Sequence, residues 1–214
     1  MKPLQSTLIF LIVVVSQSIW AIDSIYRPIS LSHGISLEIP AHWQILPIGY
    51  RQNLVAFGDA MVSNSGVDTA GTKKENLLAV NSIPQPINGK IRVSVSAPPD
   101  LSQNELLEIA NSSPHDFEMM QTEFLNSFKQ LALESNLKIV EMYPVRIEKV
   151  NNHNALVISY IREKSPAENS VWMVNQYKIP ISNQYLIEFT LSYQQSNSLI
   201  FKPILERVKR SIRF

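Results

Sequence analysis

Two of the four histidines in the sequence, His33 and His42, flank the segment ISLEIP at residues 35–40. Imidazole side chains bind zinc and act as general bases, so the pair could begin a metal or catalytic site. The segment between them alternates apolar and polar residues as a strand does, which places the two side chains near opposite ends of that strand. We therefore predict polar residues at strand ends and no metal shared by this pair.

A second pair, His115 and Glu118, has the i, i+3 spacing that puts two ligands on one helical face. Zinc needs three or four protein ligands, and no matching pair occurs on another predicted helix. Solvated first-turn residues of a helix explain this pair, and we predict neither a metal site nor a cofactor.

Catalytic signatures are missing from the sequence, which contains no G-x-S-x-G elbow, no H-E-x-x-H helix, no P-loop and no G-x-G-x-x-G turn. We predict a non-enzymatic protein without catalytic residues. A hydrolase whose serine, histidine and acid come together only on folding stays an alternative, because any chain of this size contains those residue types.

Basic residues cluster near the carboxyl terminus, opposite an apolar stripe of helical spacing, at Lys202, Arg207, Lys209, Arg210 and Arg213. Cations near the end of a helix complement its negative pole, which predicts a solvated helix face. A phospholipid or nucleic-acid patch is the alternative interpretation.

The elements that position these residues begin with strands, because apolar residues alternate in residues 35–39 and again in 90–97. Further strands are predicted at 54–62 and 77–83. Between them, residues 63–76 contain almost no large apolar side chain and are predicted to form a mobile loop.

Two helices follow. Ser102 and Glu105 have the spacing of a capping box, and Ser113 followed by Pro114 begins a long amphipathic helix over about 114–135. A last helix has Pro203 in its first turn. Between the long helix and this one, strand-like segments joined by short turns predict an antiparallel meander, and its aromatic residues offer a possible groove: Tyr160, Trp172, Tyr177, Tyr185 and Tyr193. The predicted fold is an α/β/α sandwich, an antiparallel sheet with the long and the last helix packed on it.

The first residues predict a signal peptide at 1–21, with cleavage between Ala21 and Ile22, since one lysine precedes the apolar core LIFLIVVV. An uncleaved amino-terminal anchor is the alternative. Cleavage leaves one predicted domain at 22–214 with 18 basic and 18 acidic residues, a balance that favours no nucleic-acid partner. The absence of cysteine excludes disulfides and a lipidated cysteine, so we expect a periplasmic protein without a stable membrane anchor.

Gly34-Ile35 stands before a strand, Pro40 and Trp43 follow that strand, and Phe201-x-Pro203-Ile204 lies in a last helix that ends in Ser211-Ile212-Arg213-Phe214. In these short motifs the chain resembles the PsbP-like superfamily. The order of strand, long helix, meander and final helix is most similar to the periplasmic DcrB-like branch. The resemblance implies an α/β/α sandwich and an accessory or binding role without a shared catalytic apparatus.

We therefore predict a soluble periplasmic accessory protein that binds a protein partner in the cell envelope, through an open sheet face or the loop 63–76. A periplasmic immunity protein against a delivered toxin is an alternative of the same class. The hydrolase with a dispersed site is the alternative from a different class.

Overall fold

An eight-stranded antiparallel sheet forms the centre of the fold in the computed structural model, which describes residues 25–53, 73–134, 138–163 and 170–214. Its strands are β3 (Gln44–Ile45), β4 (Lys73–Asn81), β5 (Gly89–Ala97), β6 (Ile139–Met142), β7 (Arg146–Val150), β8 (His153–Glu163), β9 (Val171–Pro180) and β10 (Leu186–Gln194). The strand order is β3-β4-β5-β10-β9-β8-β6, and β7 pairs with β8 as well.

The predicted meander is confirmed in β8, β9 and β10, which pair with one another in sequence order. The sheet then continues through a long-range pairing, because β10 lies beside β5 with Phe189 opposite Val93. Alternation along β10 puts Ile187, Phe189 and Leu191 on one face, where all three are buried.

A second, two-stranded sheet covers that face together with the last helix. Its strands are β1 (Tyr26–Ser30) and β2 (Ser36–Pro40), and the helix is α4 (Ser198–Ser211). The strand predicted at 35–39 is confirmed as β2, and Ile35, Leu37 and Ile39 are buried in the core. On α4, the buried residues are Leu205 and Val208, three apart as an amphipathic helix requires.

The opposite face of the sheet carries α2 (Gln103–Asn111) and α3 (Pro114–Glu134). Phe124 and Phe128 of α3 pack against Tyr160 and its buried neighbours, with the rings of Phe128 and Tyr160 5.0 Å apart. The Gln103 amide ties α2 to the sheet, since its Nε2 donates to the carbonyl oxygens of Asn154 and Pro180. The predicted α/β/α sandwich is thereby confirmed.

Helix starts follow the predicted chemistry in two of three cases. The capping box is confirmed, because Ser102 Oγ accepts from the Glu105 amide while Glu105 Oε2 accepts from the Ser102 amide. Helix α3 begins at Pro114 as predicted. The prediction for α4 was wrong: the helix begins at Ser198, so Pro203 lies inside it. A proline there deprives the carbonyl of residue 199 of its partner, and the helix tolerates this near a solvent-exposed end.

Some predicted segments fall outside the described residues, namely the signal peptide at 1–21 and the strand at 54–62. Residues 48–53 form a helical stretch, α1, that the sequence pattern did not predict. Among the helices in the described ranges, none has both the length and the hydrophobicity that a membrane span needs.

Candidate functional site

The predicted histidine pairs do not form a site. His33 and His42 lie near opposite ends of β2, and both are exposed, as is His115. His153 Nδ1 lies 3.1 Å from the carbonyl oxygen of Asn151, and its ring packs edge-on against Phe214. Within the described ranges, no group of three possible ligands is close enough to hold a metal ion.

The aromatic residues of the meander divide between the two faces of the sheet, as alternation requires. Tyr160 packs under α3, whereas Tyr177 and Tyr193 lie on the face covered by α4. Tyr185 packs against the same core as Tyr177 and Tyr193 and contacts the His33 ring at a centroid distance of 4.9 Å, but it does not line the cavity beneath α4. The predicted aromatic groove therefore reduces to two tyrosines beneath α4.

These two tyrosines line a cavity of about 320 Å³ between α4 and the sheet, which we call the α4 cleft. It is lined by Tyr143, Arg146, Ser159, Met173, Asn175, Tyr177, Leu191, Tyr193, Lys202, Leu205 and Glu206. The cleft opens outward into a shallower space of about 550 Å³ at the start of α4, where Gln195, Ser198, Leu199 and Pro203 join the lining. Cavities of such volumes are typical of ligand-binding sites.

Polar side chains form a continuous network along the floor of the α4 cleft. Asn175 and Ser159 face each other on β9 and β8, and Ser159 Oγ donates to Asn175 Oδ1 at 2.8 Å. Arg146 Nη1 donates in turn to Ser159 Oγ at 3.0 Å, and Arg146 Nε lies 3.5 Å from Glu148 Oε2. The network fixes the orientation of each group, because every member is held by its neighbour.

The same network neutralises the acidic residues of the cleft. Lys209 Nζ lies 3.1 Å from Glu148 Oε1 and 2.9 Å from Glu206 Oε2, so both carboxylates have a cation beside them. The Lys209 ammonium also lies 5.5 Å from the centroid of the Tyr177 ring. The negative charge of Glu206 is therefore satisfied from within the protein.

Donors remain available to a ligand. The amide nitrogen of Asn175 has no partner in the part of the chain that the structure describes, since only its oxygen is bonded. The exposed Lys202 ammonium likewise has no ion pair among the described residues. Both groups are hydrogen-bond donors, so the cleft suits a ligand group that offers acceptor oxygens, such as a carboxylate or an amide carbonyl.

The tyrosines of the cleft stay protonated at neutral pH. Burial raises the pKa of Tyr177 to about 12, against the opposing effect of the Lys209 charge. Burial also raises the pKa of Tyr193, and that of Tyr143, to which the neighbouring Glu141 carboxylate adds. Their hydroxyl groups are therefore neutral and can donate as well as accept.

The outer rim of the α4 cleft is apolar and unusually exposed. Leu199, in the first turn of α4, lines the outer space and is 93 % exposed, whereas the next residue, Ile200, is 61 % exposed and lines neither space. A large apolar side chain exposed at the edge of a preformed cavity suits a contact with another molecule.

The two surfaces that the sequence suggested for a partner are only partly described. Lys73–Asn76, the end of the predicted loop 63–76, belongs to β4 and pairs with β5, so the loop prediction was wrong there. Lys73, Lys74 and Glu75 are exposed and Asn76 is polar, so this end of the strand has no apolar pattern, while residues 63–72 lie outside the described ranges. On the sheet face away from α4, Ser94, Ser96 and Ser192 are buried, so that face is not freely open.

Sequence reasoning missed Arg146, Ser159 and Asn175. A signal was present in the strand pattern, because Ser159 follows Val157 and Asn175 lies between Met173 and Tyr177 on the alternating inward positions. A polar residue at an inward position of two adjacent strands indicates a buried polar network. Recognising that the two strands pair in this register required the structure.

No protein-family model matches the chain, and no curated protein matches it. Among solved structures, cyanobacterial PsbP (CyanoP) from Synechocystis sp. PCC 6803 is similar, with 12 % identity, a TM-score of 0.48, and coverage of 89 % of this chain and 92 % of that one. LpqN, a Mycobacterium tuberculosis protein involved in cell envelope biogenesis, has 10 % identity, a TM-score of 0.45, and coverage of 88 % and 89 %. The Pseudomonas aeruginosa protein PA94, of unknown function, has 16 % identity, a TM-score of 0.36, and coverage of 86 % and 94 %. This likeness concerns the overall fold alone, and assignment to the DcrB-like branch stays a prediction.

Proposed function

We propose that this chain is a non-enzymatic accessory protein of the bacterial periplasm that binds a partner protein through the α4 cleft and its apolar rim. The observation that carries the proposal is the combination of a preformed cavity, free donors on Asn175 and Lys202, and an almost fully exposed Leu199 at its edge. Export rests on the predicted signal peptide at 1–21.

The exposure of the rim favours a macromolecular partner over a small ligand. A pocket for a small molecule encloses most of its ligand, and its apolar contacts lie inside the cavity. Leu199 instead projects at the outer edge of the α4 cleft, where only a larger surface covers it. In this arrangement a partner side chain with a carboxylate or an amide enters the cleft, while the rim packs against apolar residues around it.

The hydrolase alternative receives no support from the described residues. The one serine hydroxyl on the cleft floor, that of Ser159, accepts from Arg146 and donates to Asn175, neither of which is a general base. None of the histidines at positions 33, 42, 115 and 153 lines the cleft or is hydrogen-bonded to a hydroxyl or a carboxylate in the described part of the chain.

Capture of partners from the periplasm tests the proposal when rim and control variants are compared. We expect the tagged wild-type protein to recover one dominant envelope protein and Leu199→Asp to lower that recovery at least about tenfold, because a carboxylate at a desolvated contact costs well over 1.4 kcal/mol. Leu133→Asp is the matched control, since Leu133 is 75 % exposed on α3, far from the cleft. Asn175→Ala tests the floor in the same experiment. Equal recovery by all four proteins, or no enriched protein at all, would contradict the proposal.

A further inference from the structure

Three arginines cluster at the carboxyl end of α4, two of them in the helix and the third just after it. Arg207, Arg210 and Arg213 are all exposed, and they border a shallow groove of about 450 Å³ against β1 and β2. We call these three residues and the groove the arginine surface. It is separate from the α4 cleft, which is formed by earlier residues of the helix on the side facing β8 and β9.

The arginine surface carries an uncompensated positive charge. Its one acidic neighbour in the groove lining is Glu38, whose Oε2 lies 3.7 Å from Arg207 Nη2. Arg210 and Arg213 contact only main-chain oxygens among the described residues, those of Glu206, Arg210 and Ile212. Three cations beside one carboxylate leave a net charge near +2 on a chain that is otherwise almost balanced.

The groove is a rigid platform for these charges. The Arg207 guanidinium lies 3.8 Å from the centroid of the Tyr26 ring, and the Arg213 main chain bonds to Ser36 in both directions, at 2.8 and 3.0 Å. The end of α4 is thus fixed to β2, and the arginine side chains need less ordering when a ligand binds.

We infer that the arginine surface docks the protein reversibly on an anionic phospholipid bilayer. Its charge is complementary to lipid phosphates, and arginine forms paired hydrogen bonds with phosphate oxygens. A bilayer is favoured over a soluble anion because Ile25, which is 78 % exposed, precedes Tyr26 at this surface.

Vesicle co-sedimentation tests this inference with the protein as recovered from the periplasm. We expect binding to vesicles of phosphatidylcholine with about 30 % phosphatidylglycerol at about 50 mM salt, and loss of binding at about 500 mM salt, where screening is short-ranged. Each arginine near an anionic surface contributes roughly fivefold, so Arg207→Gln, Arg210→Gln and Arg213→Gln together should lower the partition coefficient on the order of 100-fold. Pure phosphatidylcholine should bind neither protein.

The control variant removes the same charge elsewhere, through Lys73→Gln, Lys129→Gln and Lys149→Gln, which are exposed and outside the groove. It should keep most of the binding, and circular dichroism and thermal melting check that both variants fold. The single variant Arg210→Gln, which disturbs the fewest contacts, should still lose about fivefold. Absence of vesicle binding, an equal loss in the lysine variant, or stronger binding to soluble polyglutamate than to vesicles would each overturn the inference.

Discussion

Among the glycines in the described ranges, Gly89 is the one where an added methyl group should disturb the packing most. A Cβ atom there would lie 2.6 Å from Trp43 Cη2 and 2.6 Å from Phe201 Cδ1. Carbon atoms pack favourably at about 3.5–4.0 Å, so one or both rings must move by about 1 Å in Gly89→Ala. Neither ring is free to do so, because Trp43 is buried against the core and Phe201 is carried by α4.

The expected cost follows from this overpacking. Extra carbon atoms in a well-packed core typically cost about 1–3 kcal/mol of stability. Because the new methyl group would meet two rings at once, we expect Gly89→Ala to cost about 2–3 kcal/mol, in the upper part of that range. For a domain of this size that lowers Tm by about 4–12 °C. Chemical denaturation followed by tryptophan fluorescence gives the free energy of unfolding, and Trp43 reports on the site directly.

Gly49→Ala is the matched control, since no neighbouring atom of the described residues lies within 4 Å of the added Cβ and the residue is in the helical stretch 48–53. It should be neutral or stabilising by up to about 1 kcal/mol. Combining Gly89→Ala with Phe201→Leu makes room for the methyl group, so the pair should cost less than the sum of the single changes by on the order of 1 kcal/mol. A Gly89→Ala protein that melts within about 2 °C of wild type would refute the packing argument.

Three further predictions concern other parts of the chain. The pKa of Tyr177 is raised to about 12, so the folded state holds this proton more tightly than the unfolded state, whose tyrosine pKa is about 10. The corresponding stability is fully present below about pH 10, and about 2–3 kcal/mol of it is lost as the pH rises to 12. Urea midpoints measured across this pH range should therefore change less in Tyr177→Phe than in the wild type. Ser102→Ala should cost about 1 kcal/mol through loss of the capping box, measured by thermal melting against the exposed Ser196→Ala as control. Because a signal peptide is predicted at 1–21, the amino-terminal sequence of the protein isolated from cells should begin at Ile22, and a retained Met1 would support the uncleaved anchor instead.

Local patterns were enough to predict most of the elements. Alternation located β2, β5 and β8–β10, and polar caps located α2 and α3, because these signals depend on neighbours within a few residues. β1 and β3 were not predicted, because they lack such a local signal. β1 contains Pro28 and β3 has two residues, so neither shows a period that the sequence alone reveals.

The candidate site was beyond local patterns because its residues meet only through long-range pairing. Arg146, Ser159 and Asn175 come from three strands, and Lys202 from a helix that begins more than 20 residues later. β10 also pairs with β5, which lies about 90 residues earlier in the sequence, whereas a meander pairs only strands that follow one another. A site that depends on register across strands can be found only when the register is known.

Helix α4 links both proposals, because it places two unlike surfaces on either side of one buried stripe. Leu205 and Val208 fix the helix against the sheet, so the side toward β8 and β9 must face the α4 cleft while the side toward β2 carries the arginine surface. Leu199 lies more than two turns, about 12 Å along the helix axis, before Arg207, so a protein docked through Arg207, Arg210 and Arg213 would leave the cleft mouth available to a partner. The two functions should therefore separate by mutation: Leu199→Asp should lose the partner and keep vesicle binding, and the arginine variant should do the reverse. Loss of both in either variant would mean that the two surfaces act as one.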